Sequence, residues 1–314
     1  MLKARIVYPL LAIVLLLSPA SYADQPGVLL LAHGGNPQWN ARVTELAAQV
    51  DKTRPTEVAF GMATRANIQA AIDRLTGRGV KEIVAVPLFV SSWSSVITST
   101  EYLLGQRAEA PPELALFAKM NHSTPASTPP AGNAAAAHDG HAGHVMNTPV
   151  DGSVPVKSPV PIRMTSALND HPVVAEILVS RARSISQNPA EESIVIVAHG
   201  PTAEEENRRW VADMASIASR IAATEKFASI DYMTLRDDAP KAVRDQATAE
   251  LRQLVEKRTQ EGRRVLIVPL LVSFGGIERG LRERLEGLPY KLPEAGLVPD
   301  DRLVTWILAM AGGR

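Results

Sequence analysis

The 314-residue chain carries 33 basic and 33 acidic side chains, so its formal net charge at pH 7 is zero. This balance gives no electrostatic reason to expect binding to nucleic acid or to an anionic membrane surface. The chain has no cysteine, which excludes disulfides, iron–sulfur clusters and thiolate zinc sites. With 46% apolar residues it can bury one or two cores, and its length predicts two domains.

The first 23 residues have the pattern of a secretory signal peptide. Two basic residues precede an apolar run from Ile6 to Leu17, and Ser21-Tyr22-Ala23 forms a cleavage site. The apolar run is shorter than the roughly 18–20 residues that a spanning helix needs, although an uncleaved anchor is the alternative. The sequence therefore predicts a periplasmic or secreted protein that begins near Asp24 and keeps no membrane anchor.

Residues 24–187 predict a first α/β unit of alternating strands and helices. Continuous apolar runs of strand length are typical of parallel strands that are buried on both faces. Strands are predicted at 27–33, 56–63, 80–90 and 113–120. Helices are predicted up to about residue 50, around 68–75, at 94–104 and at 171–182.

Residues 191–314 repeat this series as a second unit. Strands are predicted at 193–199, 227–235 and 263–272, and helices at 204–222, 243–254 and 277–285. The tail at 295–308 corresponds to 166–178 of the first unit. Strands that alternate with helices predict an α/β fold of two tandem similar units, each a small parallel sheet with helices on both faces.

An insertion at 121–161 distinguishes the first unit from the second. It holds seven prolines and almost no charge, which predicts disorder. It follows the predicted fourth strand, so we expect it at the carboxyl edge of the first sheet. Its imidazoles could bind Zn²⁺, Cu²⁺, Ni²⁺ or Co²⁺ and supply metal to that edge, or they could be incidental in a solvated loop. These metal-ligand candidates are His122, His138, His141 and His144.

His33 and His199 occupy the same place in the two units. Each ends the first strand of its unit and precedes a glycine, within "LLLAHGG" and "VIVAHGP". Ligands of parallel α/β sheets bind at the carboxyl ends of strands, where a neutral imidazole can bind a divalent metal or accept a proton. The alternative is a structural histidine that hydrogen-bonds to a loop. Because the residue recurs in both units, we predict a catalytic and metal-binding role for both.

The segments "LLLAHGGNPQWNARV", "VPLFV", "VPLLVSFGG", "ALNDHPVVAEIL" and "GLVPDDRLVTWIL" resemble those of the class II tetrapyrrole chelatases, the sirohydrochlorin cobaltochelatase/ferrochelatase family. The resemblance implies two α/β units that face each other across a cleft. It also implies a lyase of cobalamin-type biosynthesis that inserts Co²⁺, Fe²⁺ or Ni²⁺ into sirohydrochlorin. The metal-binding histidine of that family corresponds to His33 and His199.

The chain departs from the family at the second ligand. Where the family has Gly-Gly-His, the second unit has Gly275-Gly276-Ile277, and the first unit has Ser94-Ser95. A family carboxylate at the end of the second strand would fall near Met62 or Thr234, and neither is acidic. Glu278 is the nearest acidic substitute, although it could simply be exposed. We also expect that His33 and His199 could form one two-histidine site across the cleft.

Further residues are weaker candidates for substrate contact. Asn40, Arg42, Asn207 and Arg209 lie at corresponding places in the first helices, where they could meet the acidic groups of a tetrapyrrole or simply face solvent. Ser92, Trp93 and Ser95 follow the third strand and could line the cleft, with Trp93 as an apolar wall.

Two functions remain open from the sequence. The first is an exported sirohydrochlorin-type chelatase, with a tetrapyrrole and a divalent metal (Co²⁺, Fe²⁺, Ni²⁺ or Zn²⁺) as its partners and no other cofactor. The second is a non-catalytic periplasmic protein that binds or delivers metal or tetrapyrrole on the same fold. The lost Gly-Gly-His favours the second, whereas the histidine retained in both units favours the first.

Overall fold

The computed structural model describes residues 25–121 and 152–313. The predicted signal peptide and the candidate ligands His122, His138, His141 and His144 lie outside these ranges. None of the helices within them combines the length and the hydropathy that a membrane crossing requires.

The first sheet has four parallel strands in the order β2-β1-β3-β4. They are β1 (Gly27–Ala32), β2 (Thr56–Phe60), β3 (Ile83–Pro87) and β4 (Ile162–Met164). The helices of this part of the chain are α1 (Pro37–Asp51), α2 (Arg65–Gly77), α3 (Ser95–Leu103) and α4 (Leu114–Asn121). Every residue of β1 is buried, because the strand lies inside the sheet with helices on both faces.

The second sheet repeats the arrangement with three parallel strands in the order β6-β5-β7. They are β5 (Glu192–Ala198), β6 (Ser229–Thr234) and β7 (Arg264–Leu270), with helices α6 (Glu204–Thr224), α7 (Lys241–Gln260) and α8 (Ile277–Arg284). A single bridge between Leu266 and Lys291 stands where the first sheet has β4. In both sheets the first strand is flanked by the second and the third, which confirms the predicted α/β fold of two similar units.

Two helices exchange between the sheets. Helix α5 (Pro172–Arg183) follows the first sheet in the chain, yet it packs on β7 and α6 of the second. Helix α9 (Arg302–Gly312) ends the second half, yet it packs on α1 and β3 of the first. One hydrophobic cluster therefore runs through both halves. The boundary between the two predicted units, 24–187 and 191–314, remains a prediction. The hydrophobic cluster contains residues from both sides of that boundary.

The exchanged helices are fixed by arginines as well as by apolar packing. Arg181 of α5 donates to the carbonyl oxygens of Gly296, Leu297 and Pro299, at 2.7, 3.2 and 2.7 Å. The second exchanged helix, α9, is held in the same way, because Arg163 of β4 donates to the carbonyl oxygen of Ala311 at 3.0 Å. These bonds satisfy carbonyl groups that have no partner within a helix or strand.

The prediction of a fourth strand at 113–120 was wrong, since this segment begins helix α4. A short apolar run cannot be assigned to strand or helix by periodicity alone. The true fourth strand begins at Ile162, just beyond the predicted insertion, and has only three residues. It extends the sheet through the N–H of Ile83, which donates to the carbonyl oxygen of Pro161 at 2.9 Å.

Part of the predicted disordered insertion is ordered. Residues 152–161 run along α2, where the N–H of Lys157 donates to Gln69 Oε1 at 2.8 Å. Arg65, the first residue of α2, donates through Nε to the carbonyl oxygen of Val154 at 2.9 Å. Because α2 begins just after the carboxyl end of β2, Val154 lies near the carboxyl edge of the first sheet, whereas Pro161 lies at the amino end of β3. The flank does not follow a strand as expected. Residues 122–151 lie outside the described ranges.

The shared core predicts that damage on one exchanged helix destabilises both halves. Leu178 of α5 is fully buried, so Leu178→Ala should lower the free energy of unfolding by about 2–5 kcal/mol. Leu116→Ala is the matched control, because that side chain is 59% exposed and its loss should change stability little. Calorimetry should show one shifted transition for Leu178→Ala. Two separate transitions, only one of them shifted, would contradict a shared core.

Candidate functional site

His33 follows β1 directly and is exposed at the carboxyl edge of the first sheet. Its Nδ1 lies 2.8 Å from the carbonyl oxygen of Gly34. In the tautomer that donates this bond, Nδ1 carries the proton and Nε2 keeps its lone pair. Histidines that bind metals commonly donate their second ring nitrogen to a backbone carbonyl in this way. The local geometry is therefore suited to metal binding or proton acceptance at Nε2.

His199 occupies the corresponding position after β5 but has a different partner. Its Nε2 lies 3.3 Å from Asp238 Oδ2, and the side chains of His199 and Asp238 are 27% and 75% exposed. Because Asp238 is largely in water, this contact is weak and either group can exchange it for another partner. In the tautomer that carries its proton on Nε2, His199 donates to Asp238 and keeps the lone pair of Nδ1 for a metal or a proton.

The loop after His199 is fixed by Gly200 and Arg236. Gly200 has φ of 77°, and a Cβ on it would lie 2.6 Å from Thr234 Cβ, so no other residue fits without rearrangement. Arg236 is 8% exposed and donates to the carbonyl oxygens of Pro201 and Thr202 at 2.8 and 2.7 Å. Arg236 was not predicted from the sequence, because a single arginine after a strand belongs to no motif or periodic pattern that would indicate its role.

Glu278, the acidic substitute for the lost second ligand, serves the loop on which it stands. Its Oε2 accepts hydrogen bonds from the N–H groups of Gly275 and Gly276, both at 2.9 Å. Burial alone would raise the pKa of this carboxyl group, but the backbone amides of Gly276, Gly275 and Glu278, together with the nearby Arg279, outweigh burial and lower the pKa. Across the described ranges, no group of three His, Cys, Asp or Glu side chains is placed to hold a metal ion.

The carboxyl-edge loops of the two halves contact each other. From the first half, Asn36 Nδ2 lies 3.5 Å from the carbonyl oxygen of Gly275, and Arg42 Nη1 lies 3.4 Å from Ser273 Oγ. A Cβ on Gly275 would lie 3.0 Å from Trp39 Cδ1, so glycine is what allows this close approach. The candidate residue Arg42 therefore lies at the junction between the halves.

The second half makes the reciprocal contact. Trp93 stands six residues after Pro87 in the first half, as Gly275 stands after Pro269 in the second. Its carbonyl oxygen accepts a hydrogen bond from Trp210 Nε1 at 2.8 Å. The Arg209 guanidinium lies 4.4 Å from the centroid of the Trp93 ring. The structure thus brings together two predicted candidates, Trp93 and Arg209, from opposite halves.

The remaining candidates shape these loops through local hydrogen bonds. Asn40 Oδ1 accepts from the N–H of Gly35 at 2.9 Å, and Asn207 Oδ1 accepts from Thr234 Oγ1 at 2.7 Å. Ser92 Oγ accepts from the N–H of Ala167 at 2.9 Å. Ser95 is the first residue of α3. Asn40, Asn207 and Ser92 hold the strand-end loops in place.

A carboxylate that was not predicted from the sequence lies near the Trp93 side chain. Asp213 of α6 is partly buried, and its Oδ2 has no hydrogen-bond partner among the described residues. Burial, together with the nearby Asp170, raises the pKa of Asp213 to about 6, and the contact with the Trp93 side chain only partly opposes this. In the sequence, Asp213 is a single polar residue on the inner face of a helix. Many buried polar residues share this pattern, so it does not indicate a functional residue.

Two similar parallel α/β units with exchanged helices and a histidine after the first strand of each define the class: a class II chelatase fold. Residues 27–115 match the CbiX family. SirB from Bacillus subtilis with Fe³⁺ superposes with a TM-score of 0.59 at 13% identity, over 92% of this chain and 96% of that one. The sirohydrochlorin chelatase SirB from Bacillus subtilis subspecies spizizenii in complex with cobalt gives 0.54 at 12% identity, over 91% and 94%.

The search of curated protein sequences found no match. The resemblance to the class II tetrapyrrole chelatase family is nevertheless confirmed, by the CbiX match of residues 27–115 and by the fold that the described residues share with SirB. At 12–13% identity the solved structures establish the fold.

The positive φ of Gly200 predicts a strong effect of a single methyl group. Gly200→Ala should lower the free energy of unfolding by about 2–4 kcal/mol, through strained backbone and the clash with Thr234. Gly77→Ala is the control, because a Cβ there meets nothing within 4 Å and the residue ends a helix. Chemical denaturation measures both. Equal effects of the two substitutions would contradict the strain at Gly200.

The raised pKa of Asp213 predicts a pH-dependent stability term. Because the folded state favours the neutral acid, this stability is present below the unfolded pKa of about 4 and is lost as pH rises through about 6. Relative to Asp213→Asn, the wild type should therefore lose about 1 kcal/mol between pH 4.5 and 7, a value reduced for solvent screening. Denaturation of both proteins across this range measures the difference, and Asp245→Asn on exposed α7 is the control. Parallel pH profiles for wild type and Asp213→Asn would contradict the assignment.

Proposed function

We propose that this protein is an exported metal chelatase of the sirohydrochlorin type. The observation that carries the proposal is the equivalent placement of His33 and His199 after the first strand of each half, at edges whose loops contact each other. The CbiX match of residues 27–115 and the fold shared with SirB support the same class. Export rests on the predicted signal peptide.

The chemistry requires groups that bind a metal and accept protons. Insertion of a divalent cation into a tetrapyrrole releases two protons from pyrrole nitrogens. Nε2 of His33, with its lone pair free, binds the incoming metal or takes a proton. The imidazole of His199, which keeps the lone pair of its other ring nitrogen when Nε2 donates to Asp238, takes a proton. The metal, Co²⁺, Fe²⁺ or Ni²⁺, is a substrate, and all three bind imidazole.

One observation favours the non-catalytic alternative. Glu278 is engaged by two backbone amides, and the described residues offer no third ligand beside either histidine. A protein that delivers metal or tetrapyrrole needs affinity, and it needs no proton acceptor. The two functions therefore differ in whether metal insertion is accelerated.

The test follows the absorption change on insertion of Co²⁺ into sirohydrochlorin by purified mature protein. His33→Ala and His199→Ala should each lower the rate by about 10²-fold, the usual scale for loss of a general base. His171→Asn is the matched control, because His171 Nδ1 only accepts from the N–H of Val173 and asparagine can replace that cap. Wild-type protein that binds metal and macrocycle without acceleration would overturn the chelatase and support delivery.

The histidine-rich insertion is tested in the same assay. A Cβ on Gly152 would lie 3.1 Å from Ala118 Cβ, so the two described flanks are adjacent and residues 122–151 can be deleted with a short join. If the insertion supplies metal, the deletion should lower the rate at limiting Co²⁺ and leave it unchanged at saturating Co²⁺. An unchanged rate at both concentrations would remove the insertion from the metal route.

A further inference from the structure

Trp93 is an exposed aromatic residue that is held unusually firmly. Its side chain is 38% exposed, one of few large apolar side chains exposed to that degree in the described ranges. The part of Trp93 that remains in water gives the folded state no stability. Packing between the halves accounts for the buried part of the residue, and the exposed part is left without a structural role.

Both backbone polar groups of Trp93 have a partner among the described residues. The N–H donates to Ser91 Oγ at 3.1 Å, and the carbonyl oxygen accepts from Trp210 Nε1 at 2.8 Å. The side chain contacts the carboxylate of Asp213 on α6. Two of these three partners belong to the other half of the molecule. The position of Trp93 is thus set largely by contacts from across the junction.

Arg209 completes the surface. Its guanidinium lies over the Trp93 ring at 4.4 Å, and 48% of its side chain is exposed. Among the described residues its carboxylate contact is Glu205 Oε1 at 3.4 Å, which is exposed and also serves Arg208, so it leaves Arg209 with positive charge to offer. A partly free cation therefore lies over a flat, partly exposed aromatic ring.

We propose that Trp93 and Arg209 form a platform that binds the edge of a planar aromatic macrocycle bearing carboxylate groups. The indole contacts the apolar ring system, and the guanidinium pairs with a carboxylate. Asp213 is a positioning residue that contacts the Trp93 side chain from α6. This inference rests on the proposed function, since it assigns the residues that select the organic substrate, whereas His33 and His199 handle the metal and the protons.

Charge complementarity favours this occupant over an uncharged one. Arginine binds carboxylates through paired N–H groups and stacks on aromatic faces, so the two side chains together match a ligand that is both aromatic and anionic. The corresponding position in the second half is Gly275, which has no side chain. The platform therefore exists on one side of the junction alone.

The experiment measures the affinity of the mature protein for metal-free sirohydrochlorin by difference absorption. Trp93→Ala and Arg209→Ala should each weaken binding by about tenfold, and Trp93→Phe should keep most of the affinity because it keeps a ring. Arg208→Ala, an adjacent arginine whose side chain is 69% exposed, is the matched control and should bind as wild type. Asp213→Asn should retain affinity, whereas Asp213→Leu should weaken it as Trp93→Ala does.

A chemical variant of the ligand separates a direct contact from a structural effect. With the methyl ester of the same macrocycle, whose carboxylates are blocked, wild type and Arg209→Ala should bind equally. A loss for Arg209→Ala that persists with the ester, or affinities for Trp93→Ala and Arg209→Ala equal to wild type, would overturn the platform and leave the chelatase standing. Failure of the wild type to bind the free macrocycle would instead overturn both.

Discussion

The structure depends on the exchange of helices α5 and α9 between the two sheets. On each small sheet, the helices of its own half cover one face only in part, and a helix from the opposite half packs on the rest of that face. Burial of apolar surface is the main favourable term in folding, so the halves stabilise each other through one continuous core. A sheet of three or four strands with one uncovered face would expose an extended apolar surface to water. The pairing of the halves is therefore a condition of folding.

The position of the candidate site follows from that pairing. Because the cores are joined, the carboxyl edges of the two sheets are held where their loops meet, with Asn36 facing Gly275 and Trp210 facing Trp93. The strand-end histidines lie within this frame, each beside a glycine with positive φ that turns the chain sharply. Rigid strands and reciprocal loop contacts thus position groups that come from distant parts of the sequence, as pre-organised sites require.

Much of the fold could be predicted because buried parallel strands have long apolar runs, as "GVLLLA" and "SIVIVA" show. The strand-His-Gly recurrence also located both histidines. The fourth strand was missed because three residues carry no periodicity, and the apolar "LALFAKM" suits a helix or a strand equally. The helix exchange could not be predicted from the sequence. An amphipathic pattern indicates that one face of a helix is buried, but it does not indicate which element packs against that face. Asp213, Arg236 and the Trp93–Arg209 contact depend on tertiary neighbours that no local spacing encodes.

The difference between Trp93 and Gly275 bears on how an asymmetric molecule would dock. If both sides of the junction carried the same side chains, a ligand could enter in two orientations related by the pseudo-symmetry of the fold. A ring with a cation above it on one side, and a bare backbone against Trp39 on the other, make the two orientations unequal in energy. The difference between Trp93 and Gly275, at one pair of equivalent positions, is thus sufficient for a nearly symmetric fold to favour one orientation of a bound ligand.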